Sequence, residues 1–193
     1  MNYEYDVFLS YIRDFPFGHW VHETFLPLFQ PLLSQALNRP ANIFIDTKKI
    51  SPGDAWHSRL KYALAHSRCL VAVWSPSYFS SPWCSFELSV MLERESQLGY
   101  RSDQNPKGLI IPVRVFDGEH FPDFAQRIHC LDCSNFARVG PAFRKTKKFI
   151  KFQDELFEWV PLVAKTIDQA PIWRQEWLDA KLPVMPYFSY SSN

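Results

Sequence analysis

No stretch of this 193-residue sequence approaches the ~18 consecutive apolar residues that a membrane-spanning helix needs. The amino terminus, MNYEYDVFLSY, has no basic segment leading into an apolar one and does not read as a secretory signal. Charge of one sign is missing as well. With 21 basic and 20 acidic side chains the formal net charge is +1, which gives no electrostatic ground for expecting nucleic acid or an anionic membrane as the main partner. Four cysteines, at 69, 84, 130 and 133, are too few and too irregularly spaced for the disulfide framework of a secreted protein. Together these absences predict a cytoplasmic protein with reduced thiols. Also absent are a Walker loop, a G-x-G-x-x-G turn and an H-E-x-x-H pair, so no glycine-rich phosphate cradle or zinc helix is encoded. The lone C-x-x-C, Cys130 to Cys133, has neither a second pair nor a nearby pair of histidines and reads as coincidence.

What is present is an alternation of apolar runs and helical stripes, in a chain long enough for one large domain with a full core. Tyr5 to Tyr11 (YDVFLSY) reads as a first strand with polar groups at its exit. Between His19 and Leu37, Phe25, Leu28, Phe29, Leu32, Leu33 and Ala36 recur at helical spacing. Pro27 and Pro31 interrupt that stripe, each costing ~3 kcal/mol inside a helix, so a late start near Pro27 or a kink is expected. Asn42 to Ile45 is a second strand ending at Asp46, and TKKISPGD is a loop across the C-terminal edge of the sheet. Asp54 then caps a helix running to about Ser67. Cys69 to Trp74 (CLVAVW) is a third strand, buried on both faces. Leu109 to Phe116 is a fourth, in which Pro112 argues for an edge position or a bulge. Arg127 to Cys133 makes a short fifth strand, and Phe152 to Ile167 a helix. The order predicts an α/β fold of the flavodoxin-like kind, a five-stranded parallel sheet with helices on both faces, over residues 1–167. Residues 168–193 form an aromatic, proline-rich C-terminal extension, expected to pack on the domain or on a partner.

The pivotal stretch is SPSYFSSPWCSFEL, residues 75–88. Ser80 or Ser81 can cap a helix whose first residue is Pro82, and Trp83 and Glu87, four apart, then lie one above the other on one face. A carboxylate held just past the C-terminal end of a buried parallel strand sits where open α/β sheets bind ligands.

Four stretches, YDVFLSY, FIDTKKISPGD, VAVWSPSYFSSPWCSFEL and LIIPVRVF, resemble in order and spacing the signature segments of the Toll/interleukin-1 receptor (TIR) domain family, over roughly residues 3–167. Two roles are implied by the resemblance. Enzymatic TIR domains cleave NAD+ at the nicotinamide–ribose bond with a helix glutamate in a W-x-x-x-E context, whereas adaptor TIR domains only assemble with one another. The intact W-x-x-x-E favours the first, with NAD+ as substrate and no separate cofactor or metal. Carried onto this sequence, the resemblance implies that Glu87 is catalytic and that Trp83 lines the site. Ser10, Tyr11, Arg13, Phe44 and Asp46, with Lys48 and Lys49 of the loop, are candidate substrate contacts, the cations facing the pyrophosphate. Self-association through the Asp46 to Asp54 loop is a further implication. The chain also resembles stand-alone bacterial members of antiviral, Thoeris-like defence, which make a signal nucleotide for a separate effector. Hydrolysis, cyclisation and transfer of ADP-ribose share the same first step, so the product stays open.

Overall fold

Val7, Phe8 and Leu9 are apolar in succession, so a strand carrying them needs cover on both faces. The computed structural model describes residues 2–46 and 56–179, and in it β1 (Tyr5–Ser10) sends Val7 and Leu9 into one core and Phe8 into another. The same alternation holds in β3 (Ser67–Trp74), where Cys69, Val71 and Val73 face the first core and Leu70, Ala72 and Trp74 the second. With β2 (Ile43–Ile45), β4 (Ile110–Arg114) and β5 (Leu131–Asp132) these strands form one parallel sheet in the order β2-β1-β3-β4-β5. The chain is therefore an α/β protein with a flavodoxin-like five-stranded sheet. Helices α1 (Phe17–Trp20), α2 (Leu26–Ala36) and α7 (Lys147–Asp168) cover one face around Trp20, Phe25, Phe29, Phe152 and Trp159. Helices α3 (Trp56–Ala65), α4 (Pro76–Ser80), α5 (Pro82–Gln97) and α6 (Asp123–Gln126) cover the other around Phe8, Leu64, Trp74, Phe86 and Met91. Among the described residues no helix is long and apolar enough to cross a membrane.

Several elements differ from expectation, each for a local reason. The helix expected either to start late near Pro27 or to kink there begins at Phe17 and is interrupted by a π turn, Val21–Phe25, which closes with Leu26 N–H on the Val21 carbonyl. The one-residue shift of register in that turn leaves Pro27 in the first turn of α2, where its missing donor costs little. Pro112 does not mark an edge strand, because β4 lies between β3 and β5. On β4, Leu109 and Val115 bond to β3 (Leu70 N–H to Leu109 O, 2.8 Å; Val115 N–H to Trp74 O, 3.0 Å), so Pro112, at an even position, faces the β5 side. There β5 pairs only with Val113 and Arg114, and no carbonyl waits for the donor that proline lacks. The fifth strand is shorter than Arg127 to Cys133 because Arg127 and Ile128 are taken up in closing α6, their N–H groups bonding Phe124 O and Ala125 O. Helix α3 stops at Ala65, two residues before Ser67, which already belongs to β3. The Asp54 cap and the loop from Thr47 lie outside the described residues.

Helix α5, which carries Glu87, is fixed at its far end by two adjacent buried charges. Glu95 receives the Arg101 guanidinium through two hydrogen bonds (2.5 and 3.0 Å) and the N–H groups of Leu109 and Ile110, so one carboxylate ties α5 to the start of β4. Arg94 donates to Ser67 O (2.8 Å) and Tyr3 Oη (2.6 Å), beneath the Trp177 ring of α8 (Glu176–Asp179) at 3.6 Å. The helix closes at Gly99, whose φ of +63° suits glycine, with Gly99 N–H on Ser96 O and Tyr100 N–H on Glu95 O. Replacing Glu95 by Ala strands Arg101 and two backbone donors, and is expected to cost about 2–4 kcal/mol, read as a lower urea midpoint at pH 7. An unchanged midpoint would show that β4 does not depend on this carboxylate.

Candidate functional site

Two Ser-Pro pairs shape the edge of the sheet beyond β3. Ser75 accepts a hydrogen bond from Tyr78 N–H (3.2 Å), with Pro76 opening α4, and Ser81 accepts one from Cys84 N–H (3.4 Å), with Pro82 opening α5. Of the two serines open as caps for α5, Ser81 is the one used; Ser80 ends α4 and donates to Pro76 O. The first cap turns Tyr78 inward to complete burial, and the second brings Glu87 round to the end of β1.

There Ser10, the last residue of β1, donates its hydroxyl hydrogen to Glu87 Oε2 and lies 2.9 Å from Tyr78 Oη. With Ser10 donating to the carboxylate, Tyr78 donates to Ser10, and the three side chains form a buried relay ending on Glu87. Burial pushes the Glu87 carboxyl up to about 8, and the nearby charge of Asp46 adds to this, while the Ser10 hydrogen bond and Arg13 act against it. At neutral pH the group holds its proton, and a cation placed beside it favours the ionised form. Cys84, one turn earlier, is no thiolate: burial, reinforced by Glu87, drives its thiol well above the ordinary range despite its place in the first helical turn.

The sequence-derived candidates separate into groups. Ser10 and Glu87 are in contact. Arg13 and Asp46 pair at 2.5 Å, and both act electrostatically on Glu87. Trp83, half-buried one turn before Glu87, packs against the core on the α5 side of the sheet. Tyr11 points to the opposite side of the sheet, where its hydroxyl lies 2.6 Å from His22 Nε2. Phe44 is taken into the core, its ring 5.0 Å from Phe8 and 5.1 Å from Tyr5 with the Arg59 guanidinium 5.6 Å above it, so it is not presented at the strand exits. Lys48 and Lys49 lie outside the described residues. Two side chains that touch these candidates were not singled out in the sequence. Tyr78 was signalled by Ser75-Pro76, the same capping pattern that marks Ser81-Pro82; His22 sits in the π turn, which a helical-period reading does not register. Among the described residues no group of three or more His, Cys, Asp or Glu is placed to hold a metal ion, and Cys133 of the C-x-x-C is buried in the core.

The family model for the TIR domain matches residues 7–145. A protein of Brachypodium distachyon named as a probable 2′ cyclic ADP-D-ribose synthase is 34% identical over 77 residues, 39% of this chain and 34% of that protein, so the match spans about a third of that relative's length. Among solved structures, the TIR domain of a Toll-related receptor from Hydra magnipapillata shares 21% identity, covering 78% of this chain and 98% of that one, with a TM-score of 0.47. A TIR-STING receptor from C. gigas, solved in complex with 2′,3′-cGAMP, shares 16% identity, covering 82% of this chain and 40% of that one, with a TM-score of 0.46.

A carboxyl raised to about 8 in the fold and ordinary when unfolded makes stability depend on pH in a definite direction. Its contribution is fully present below the unfolded value near 4.5 and is lost as the pH rises through about 8, because the unfolded chain releases a proton that the folded chain retains. Each pKa unit of that gap is worth about 1.4 kcal/mol. Glu87→Gln, which has no proton to release, is therefore expected to melt progressively higher than the wild type as the pH is raised from about 5 to about 8. A difference in melting temperature that stays flat over that range would mean that Glu87 is ionised in the folded protein.

Proposed function

The chain belongs to the TIR domain family, and from that premise we propose that it is an enzyme that cleaves the nicotinamide–ribose bond of NAD+, with Glu87 as the catalytic carboxylate. The observation that carries the reading is the buried Glu87, four residues after Trp83, held by Ser10 at the C-terminal edge of the sheet.

The chemistry needs little more than this. As the C1′–N bond breaks, its electron pair leaves with nicotinamide, which becomes neutral, and positive charge moves onto the ribose. An ionised carboxylate beside the ribose stabilises that charge and accepts hydrogen bonds from its hydroxyls. The cationic nicotinamide ring itself favours ionisation of Glu87, so the group becomes competent as substrate arrives. Trp83 provides an apolar wall one turn along the helix, and Arg13 offers guanidinium hydrogens to the pyrophosphate. The reading extends to a cyclic or conjugated ADP-ribose product acting on a separate effector in anti-phage defence within the cytoplasm. The product class is supported by the name of the Brachypodium distachyon relative.

Purified protein is expected to release nicotinamide from NAD+, and Glu87→Gln to lose at least roughly a hundredfold in rate, the scale of removing one transition-state electrostatic group. The rate at low substrate should rise with pH through about 8 and then level off, following ionisation of Glu87 in the free enzyme. Wild-type turnover in the Glu87→Gln protein would falsify the assignment. Trp83→Ala should lower activity or change the product mixture at unchanged circular dichroism; an unfolded variant would instead show a core role.

Assembly is part of the same reading, and specific activity is expected to rise with protein concentration. A constant value across a wide dilution series, with a monomer by light scattering in NAD+, would mean that each chain is self-sufficient. Concentration-dependent assembly without any nicotinamide release would assign the chain to the adaptor role.

A further inference from the structure

A hydroxyl has one hydrogen to give, and in the Tyr78–Ser10–Glu87 relay this decides which way the hydrogen bonds run. Ser10 gives its hydrogen to Glu87 Oε2, so the 2.9 Å contact between Ser10 Oγ and Tyr78 Oη takes its hydrogen from the phenol. In the opposite polarity a protonated Glu87 would donate to Ser10 and Ser10 to Tyr78, and the phenol hydrogen would need another acceptor. Among the described residues Ser10 Oγ is the one hydrogen-bond partner of the Tyr78 hydroxyl, and Tyr78 is fully buried, so that hydrogen would be stranded away from water. Tyr78 is held in place by its own element: Ser75 accepts its N–H, α4 carries it inward, and the Phe79 ring meets it edge-on at 5.4 Å. Burial holds the phenol well above its ordinary range, so it remains a donor while Glu87 titrates.

Resting on the reading of Glu87 as the catalytic carboxylate, we propose that Tyr78 is a positioning residue that, through Ser10, keeps a hydrogen-bond donor aimed at Glu87 Oε2 in both states of the carboxyl and so makes the anion available to the ribose. The proton of the neutral carboxyl is carried on Oε1, and its departure reverses no hydrogen bond in the relay. The surroundings that suit the anion are thus in place before the anion forms. The other charged groups that act on Glu87 are Asp46, beyond β2, and Arg13, beyond β1. Cys84 of α5 and Tyr11, next after Ser10, feel its charge in turn, and burial keeps both protonated above their ordinary ranges. Removing the Tyr78 hydroxyl alters none of these groups, so a displaced ionisation of Glu87 reports the relay alone.

Tyr78→Phe keeps the ring and removes only the donor. Glu87 is titrated without substrate from about pH 5 to about pH 10 by NMR of carboxyl-13C glutamate, its signal recognised by its absence from Glu87→Gln. In Tyr78→Phe the midpoint is expected to lie about half a unit to one unit above that of the wild type, the scale of one hydrogen bond. A protein with 3-fluorotyrosine at position 78, whose phenol donates more strongly, should move the midpoint the other way. Nicotinamide release at low NAD+ then separates positioning from packing. The loss in Tyr78→Phe should be roughly three- to tenfold at about pH 7 and close to nothing by about pH 10, with spontaneous NAD+ breakdown subtracted. A midpoint that stays or falls in Tyr78→Phe, or a rate loss that is the same at every pH, overturns the proposal and leaves Tyr78 as a packing residue. A wild type that releases no nicotinamide defeats the NAD+ reading, while the titration still decides whether Tyr78 directs the ionisation of Glu87. If Tyr78→Phe fails to fold, the fluorinated protein decides alone, and an unmoved midpoint overturns the proposal.

Discussion

The hydrogen bond from Ser10 to Glu87 joins the last residue of the first strand to the second turn of a helix that begins more than seventy residues later, and the geometry of the edge depends on it. A carboxyl taken out of water needs partners or a proton. Here it has both: a buried hydroxyl, itself backed by Tyr78, and a proton that burial retains up to about 8. Without Ser10 the carboxyl would face the core on the α5 side with its main hydrogen bond gone, and the second turn of α5 would lose its link to β1.

That link is useful only if the helix itself does not drift, and α5 is held at both ends by unlike means. The first turn is fixed by Ser81 and Pro82, which satisfy or dispense with the leading N–H groups. Its last turns are fixed by Glu95, which takes the place of a strand partner for Leu109 and Ile110, and by Arg94, set among Ser67, Tyr3 and the Trp177 ring. Burial pulls the Arg94 guanidinium down to about 10, and the Tyr3 hydroxyl acts against that shift, so Arg94 remains charged at neutral pH. Structure near the end of the described chain thus bears on the helix that carries Glu87, through the stack of Trp177 on Arg94.

Much of the frame was legible because it rests on local rules that agree with one another. Short apolar runs gave the strands, Ser81-Pro82 gave the start of α5, and the spacing of Trp83 and Glu87 gave their common face. The failures have equally local causes. A proline inside a strand argues for an edge only if its missing donor faces a partner, and Pro112 faces the side that β5 does not reach. A proline inside a helical stripe argues for a late start only if the ladder keeps its register, and the Val21–Phe25 π turn shifts it. The same turn presents His22 to Tyr11, and no helical-period reading brings those two residues together. Phe44 was expected at the site from its position next to the strand exit, but alternation along β2 turns it into the core.

On the proposed function, the opposition between burial and hydrogen bonding at Glu87 carries a consequence for recognition. Tyr78 donates to Ser10 and Ser10 to Glu87, an arrangement suited to an anion, yet burial holds the proton on at neutral pH. The site is poised between the two states, and what tips it is a positive charge arriving close by. Oxidised nicotinamide carries such a charge, whereas the reduced ring is neutral and would meet an uncharged carboxyl. The cost of removing the Glu87 proton is then met only by the dinucleotide whose ring can also depart, so discrimination between the two redox forms arises from the same burial that makes the carboxylate effective. A solvated glutamate at this position would ionise for either ring and stabilise the ribose cation less.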